Sequence, residues 1–75
     1  MADKAILRLR EKLGFSQEDL AQALGVQGRL TVYRWEVGDR EPSELIRRLI
    51  LLLHDMPERE AKKLLHRIQE YGRQK

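Results

Sequence analysis

The stretch that decides the fold is QEDLAQALGVQGRLTVYRWEVG, residues 17–38. Its glycines and apolar spacing predict two short helices that are joined by a tight turn and cross at a steep angle. Ala21 is small where the first helix would press against the second, and Gly25 permits the turn because a Cβ would be strained there. Val32 and Trp35 lie three residues apart and make the buried side of the second helix. The opposite face of that helix must therefore look outward.

Further helices are predicted on both sides of this pair, with no strand-like alternation and no repeat. Apolar residues recur at three- and four-residue spacing, and glycines end the first three helices. Ser16 and Ser43 are the expected N-caps of the second and fourth helices, and Asp55 is the expected cap of the fifth. The predicted helices span about 3–13, 17–24, 29–37, 43–54 and 57–71. This pattern predicts an all-α fold, a compact single domain over residues 1–75.

The chain has 75 residues, 41% of them hydrophobic, and this length suits one small domain. It contains no cysteine, so disulfides and thiolate metal clusters are excluded. Lys and Arg number 15 against 12 Asp and Glu, which gives a net charge of +3 and a pI near 9.6. A basic balance fits nucleic acid only if the cations gather on one face. The longest apolar run, 49–53, is far shorter than a membrane span, so we expect a soluble, cytoplasmic protein with no membrane partner.

Catalysis and metal binding have no candidate residues in the sequence. Ser16, Thr31 and Ser43 lack a nearby histidine that could act as a base, and there is no glycine-rich phosphate loop. His54 and His66 are the only histidines, and neither a cysteine nor a convergent carboxylate accompanies them. We therefore expect no enzymatic activity, no metal and no cofactor.

Two parts of the sequence resemble one family. The run LREKLGFSQEDLA at 9–21, and RWEVG followed by Pro-Ser at 34–38 and 42–43, are similar to the lambda repressor and Cro-like helix-turn-helix family, often called XRE-type regulators. The resemblance covers about residues 6–53. It implies a five-helix lambda-repressor-like domain whose helix-turn-helix unit, about 17–37, places its second helix in the major groove of double-stranded DNA. The function that it implies is a sequence-specific transcriptional regulator, a repressor.

The resemblance also implies which residues face DNA, although the chain departs from the family pattern at one place. Between Gly25 and Glu36 the chain has one residue more than the family spacing, expected within 26–30, where Gly28 could absorb it. This leaves the start of the recognition helix open. Base readout is expected from Arg29, Leu30, Thr31 and Arg34. Phosphate or sugar contacts are expected from Gln17, Gln27, Tyr33 and Arg40. An arginine fork matches guanine, a leucine can contact a thymine methyl, and a helix N-terminus attracts phosphate.

These residues have structural alternatives. The arginines could be ordinary solvated cations, and Gln17 could be a polar residue of a first helical turn. Arg10 and Glu36 resemble a family ion pair, and we favour that structural role for Arg10 over a DNA contact.

The fourth and fifth helices carry more apolar surface than their packing needs. The apolar residues of the fourth cover a wide arc, and Leu51 falls on its polar side near Arg47 and Arg48. The fifth ends its apolar stripe at Tyr71. We expect a homodimer through this surface, which would present two recognition helices about 34 Å apart. The rival hypothesis is a protein-interaction module or an antitoxin component, in which the same surface binds another protein.

Overall fold

The computed structural model describes residues 4–72, which form an all-α fold without any strand. The helices are α1 Ala5–Leu13, α2 Gln17–Leu24, α3 Arg29–Val37, α4 Glu44–Asp55 and α5 Glu58–Gly72. The predicted all-α class is confirmed, and the predicted bounds of α2 and α3 agree with the structure. The predicted start of the first helix at Asp3 lies outside the described residues.

The ends of α2 are fixed by interactions that are local in sequence. At its start the Ser16 hydroxyl accepts from the Asp19 N–H, and the Asp19 carboxylate accepts from the Ser16 N–H. At its end Gly25 has a φ of +76°, and its N–H donates to the carbonyls of Ala21 and Gln22. Apart from Gly25 and its two chain neighbours, no heavy atom lies within 4 Å of the position that a Cβ of Gly25 would take. The turn therefore needs glycine for its backbone conformation and not for space.

One apolar core joins the helices. α2 packs against α3 and α5, while α1 packs against α4 and α5. Val32 and Trp35 point into this core from α3, as their spacing predicts, and Trp35 is only 5% exposed. Ala23, which lies off the predicted stripe of α2, is also buried because α2 has neighbours on two sides. The buried apolar side chains are Ile6, Leu9, Leu13, Leu20, Ala21, Ala23, Val32, Trp35, Ile50, Leu53, Ala61 and Leu65.

The junction between α4 and α5 differs from the prediction. Asp55 is the last residue of α4 and not the cap of α5, and Pro57 directly precedes α5. The Lys12 ammonium of α1 reaches this junction and donates to the carbonyls of His54 at 3.0 Å and Met56 at 2.7 Å. Carbonyls at a helix C-terminus lack partners within the helix, and a cation satisfies them. This contact stabilises an α4 that continues to Asp55.

α4 leaves part of its apolar surface exposed. Its principal neighbour is α1, so Ile50 and Leu53 are buried on one side of the helix. Leu45 and Leu52 lie outside that contact and are 76% and 52% exposed. Tyr71, near the end of α5, is also exposed. The apolar surplus of the last two helices therefore lies at the surface of the described chain.

Candidate nucleic-acid interface

α3 has one buried side and one outward face. Val32 and Trp35 occupy the buried side, and at 3.6 residues per turn the exposed residues gather opposite them. Those exposed residues are Arg29, Leu30, Tyr33, Arg34 and Val37. We call this set the outward face of α3.

Three of the four residues predicted for base readout lie on the outward face. Arg29, Leu30 and Arg34 are exposed, whereas Thr31 is half-buried at the edge of the face. α3 begins at Arg29, so residues 26–28 lie in the preceding turn, outside the helix. Arg29, Leu30 and Thr31 lie in the first turn of α3, and Arg34 lies about one turn further along the helix.

Residues from both predicted sets meet in a shallow depression beside α3. The turn after α3 brings Arg40 to this place, and the Arg40 backbone N–H donates to the Arg34 carbonyl at 3.2 Å. The depression holds about 390 Å³, and its lining residues are Gln27, Thr31, Arg34, Trp35, Arg40 and Glu41. Predicted base-reading and phosphate-binding side chains are thus neighbours on this side of the helix.

Three arginines border the outward face, and Glu41 is the acidic residue that lines the depression with two of them. The side chains of Arg29, Arg34 and Arg40 form no hydrogen bond or ion pair with other residues in the range 4–72. On α4, by contrast, Arg47 Nη2 lies 2.8 Å from Glu44 Oε1. Because the three guanidinium groups have no acidic partner there, they can meet an external anion without breaking an existing bond.

A charged cluster joins α1, α2 and α3. Arg10 Nε and Nη2 lie 2.6 and 3.2 Å from the two carboxylate oxygens of Glu36, and Arg10 Nη1 donates to the Phe15 carbonyl. The Gln17 amide nitrogen donates to Glu36 Oε1 at 3.0 Å. The Arg10 and Glu36 side chains are only 16% and 11% exposed. The cluster therefore ties the start of α2 to α3 in a place that water reaches poorly.

Gln17 is predicted to contact a DNA phosphate, and in the structure its side-chain amide donates one hydrogen to Glu36. An amide nitrogen carries two hydrogens, so a second one is left for another acceptor. Backbone N–H groups at the start of a helix also lack intrahelical partners. The Asp19 carboxylate lies at the same end of α2, and hydrogen bonds from the Ser16 backbone and hydroxyl hold its pKa below the ordinary value of 3.8. The start of α2 therefore combines free donors with the negative charges of Glu18 and Asp19.

Two residues of the outward face were not placed there by the sequence prediction. Tyr33 is expected at the groove edge, yet it is 48% exposed and lies near the middle of the face. Val37 has no predicted role and is 55% exposed. A signal for both is present in the sequence, because Tyr33 follows Leu30 by three residues and Val37 follows Tyr33 by four, so the three form one row along the helix.

Between residues 4 and 72, no group of three or more His, Asp or Glu side chains is placed to hold a metal ion. None of the described helices has the length and the apolar composition that crossing a bilayer requires.

Residues 6–56 match the model of the family HTH_3, described as Helix-turn-helix. The matched range covers more than half of the chain and includes α2, α3 and the Arg10–Glu36 cluster. The comparison with curated proteins gives no match, and neither does the comparison with solved structures. HTH_3 is a DNA-binding regulatory family and not a catalytic one. The chain therefore belongs to the Cro/C1-type helix-turn-helix family, that of the lambda repressor and Cro-like (XRE-type) regulators.

Proposed function

We propose that this helix-turn-helix regulator recognises a specific sequence of double-stranded DNA with α3 in the major groove and acts as a repressor. The observation that carries the proposal is the outward face of α3, bordered by three arginine side chains without an acidic partner in the described range. The major groove, about 12 Å wide, admits an α-helix. Chromosomal DNA lies inside the cell, which supports a cytoplasmic location.

Base readout in this proposal comes from the first two turns of α3. Arg29 and Arg34 are exposed on different sides of the face and can each approach a guanine edge. A good bidentate pair discriminates against the wrong base by about 1–3 kcal/mol. Leu30 lies between them in sequence and can pack on a thymine methyl, while Thr31 reaches the edge of the groove.

Phosphate contacts in this proposal surround the base-reading residues. Gln17 offers its second amide hydrogen at the start of α2, and its bond to Glu36 holds the side chain in place. Gln27 and Arg40 line the depression on one side of α3, and the Tyr33 hydroxyl is long enough to reach the sugar–phosphate backbone. Such contacts fix the register of the protein on the duplex but carry no sequence information themselves.

Duplexes selected from a random pool test the proposal. We expect log K to fall linearly with log[salt], by about 0.9 per phosphate contact. Arg34→Ala should relax base preference at one position, whereas Arg40→Ala should weaken binding to all duplexes alike and reduce the salt slope. The matched control is Arg59→Ala, which removes an exposed arginine of α5 outside the helix-turn-helix unit and should leave both properties unchanged. Binding that ignores ionic strength, or an Arg34→Ala variant with unaltered base preference, would contradict the proposal.

Repression needs only occupancy of the site, because a protein bound over a promoter blocks the polymerase without a second surface. A reporter gene with the selected site across its transcription start should be silenced when the protein is expressed. The same site placed upstream of the promoter should leave transcription unchanged. Increased transcription from the upstream site would show an activator instead.

A homodimer is the second part of the proposal, supported by the exposed leucines of α4. Leu45 and Leu52 lie seven residues apart and therefore share one side of the helix. A two-fold axis opposite the middle of α4 would set Leu45 of one protomer against Leu52 of its partner, the self-complementary contact that such symmetry requires. Two α3 helices about 34 Å apart would then read a pseudo-palindromic site.

Sedimentation of the protein checks the dimer. Leu52→Glu should shift the protein towards monomer and weaken binding to a duplex with two half-sites, while binding to a single half-site is retained. Lys63→Ala lowers the net charge by the same single unit at an exposed position of α5 and serves as the control. An unchanged sedimentation coefficient in Leu52→Glu would rule out this interface.

The alternative function is a protein-interaction module or an antitoxin component, and the same exposed leucines favour it. In that case Leu45 and Leu52 contact a different protein and the arginines of α3 have no ligand. The parent chain would then sediment as a monomer. The Arg34→Ala variant would act in the cell as an interaction module or antitoxin component as fully as the parent does. Salt-dependent binding to the selected duplex distinguishes the two functions directly.

A further inference from the structure

The middle of the outward face of α3 is apolar. Leu30, Tyr33 and Val37 are 55%, 48% and 55% exposed, and their spacing sets them in one row along the helix. These three side chains are not buried in the described core, because Val32 and Trp35 occupy the inward side of α3. At 1.5 Å per residue the row is about 10 Å long, which corresponds to about three base-pair steps.

Positive charge borders this row on both sides. Arg29 lies on one side, and Arg34 lies on the other with Arg40 beside it; all three side chains lack a partner in the range 4–72. A ligand that fits this face must be apolar in the middle and anionic along both borders. The major groove has this arrangement where thymines occur, because their C5-methyl groups line its floor and phosphates follow both of its edges.

We propose that α3 reads the C5-methyl groups of thymine, with Leu30 and Tyr33 packed on the methyl groups of neighbouring base pairs. Leu30 contributes most because the N-terminal residues of a recognition helix reach the base edges, and Val37, farther along the helix, contributes least. The inference rests on the proposed function and specifies its ligand. The preferred half-site has adjacent A·T pairs under the apolar row and G·C pairs where Arg29 and Arg34 reach the groove floor.

Replacement of thymine by uracil at each position of the selected half-site tests the inference. Uracil pairs as thymine does but lacks the C5-methyl group, so the ratio of the two affinities reports that group alone. We expect each contacted methyl to change Kd about fourfold, the value for burying one methylene-sized group. Leu30→Ala should remove the effect at the position that Leu30 contacts. Leu45→Ala, which truncates an exposed leucine of α4, should keep the thymine-to-uracil ratio whatever its effect on total affinity.

The outcomes separate failure of this inference from failure of the proposed function. Salt-dependent binding with equal affinity for the thymine and uracil duplexes overturns the methyl readout and leaves the proposed function intact. Selected half-sites without adjacent A·T pairs overturn it in the same way. No binding to any selected duplex at low salt contradicts the proposed function and the inference with it. Circular dichroism of Leu30→Ala should show an unchanged fold, since Leu30 lies outside the core.

Discussion

Glu36 is the residue on which three helices depend. Its carboxylate accepts two hydrogen bonds from Arg10 of α1 and one from Gln17 of α2, while it lies on α3 itself. At 11% exposure it has little access to water, so these donors have no ready substitute. The position of the outward face relative to the start of α2 therefore depends on one side chain.

Glu36→Ala should destabilise the fold by about 2–4 kcal/mol, because it leaves the poorly exposed Arg10 guanidinium without its counter-ion. Urea unfolding followed by the fluorescence of Trp35, the only tryptophan, measures this loss. Glu58→Ala is the control. Its pair with Lys62 is 3.8 Å long and exposed, so its removal should cost less than about 0.5 kcal/mol. Equal losses in the two variants would contradict the role given to Glu36.

Some contacts of these side chains could be predicted from the sequence, and others could not for a physical reason. The approach of Arg10 to Glu36 is expected from the family resemblance. The bond from Gln17 to Glu36 is not, because the two residues are 19 positions apart and meet only when α2 packs on α3. The position of Tyr33 in the middle of the outward face follows from helical spacing, but the resemblance favours the groove edge.

At the scale of single elements, the start of α2 gives the fold a dependence on acid. Asp19 accepts hydrogen bonds from Ser16 in the folded chain, and these lower its pKa from the ordinary 3.8. Folding therefore favours the charged carboxylate of Asp19. The stability that this charge contributes is fully present at pH values above the ordinary pKa of 3.8. The contribution is lost as the pH falls through the lower pKa of the folded chain.

Asp19→Asn should flatten this acid limb of the stability profile. Urea midpoints measured from about pH 5 down to about pH 2 should fall less steeply in the variant than in the parent. Asp39→Asn alters a carboxylate whose side chain makes no hydrogen bond in the described range, and it should follow the parent. Parallel curves for the parent and Asp19→Asn would show that the capping box contributes no pH dependence.

The end of α4 depends on a lysine from the opposite end of the chain. Lys12→Met keeps the aliphatic part of the side chain but removes the ammonium that binds the carbonyls of His54 and Met56. We expect a loss of about 1–2 kcal/mol and faster hydrogen exchange at the α4–α5 junction. Lys63→Met, at an exposed position of α5, should change neither property. Unchanged exchange at the junction in Lys12→Met would show that the contact does not hold it.

These elements also show where sequence reasoning succeeds. The bounds of α2 and α3 agree with prediction because Ser16, Gly25 and Gly38 act on neighbouring residues only. The α4–α5 junction does not, because Lys12 reaches it across 42 positions of sequence and no local pattern encodes that contact. Local sequence signals therefore predict the helix ends that depend on neighbouring residues. They do not predict a helix end that is stabilised by a hydrogen bond from a distant residue.

At the scale of the whole molecule, one core shared by all the described helices predicts a single cooperative unfolding transition. Far-ultraviolet circular dichroism and Trp35 fluorescence should give coincident curves. Leu65→Ala leaves a cavity in the core beside α5. It should lower the free energy of unfolding by about 2–4 kcal/mol, by the same amount with both probes. Leu30→Ala, at an exposed position of α3, is the control and should leave both curves in place. Loss of α5 helicity before the fluorescence change would show that α5 unfolds independently.

The candidate interface was predictable in outline and not in its chemistry. The spacing of Val32 and Trp35 identifies which side of α3 faces out, and the family resemblance suggests the arginines that border it. Neither shows that the middle of the face is a row of apolar side chains, because exposure depends on what the other helices cover. That property appears only when the packing of the domain is known.

The guanidinium that neutralises Glu36 comes from α1, outside the helix-turn-helix unit of residues 17–37. The unit is consequently not a transferable module. A peptide cut to those residues, or a graft of them onto a foreign scaffold, would keep the bond from Gln17 but leave the Glu36 carboxylate without its counter-ion. Variants that test the proposed specificity therefore exchange side chains within the intact domain, with Arg10 retained.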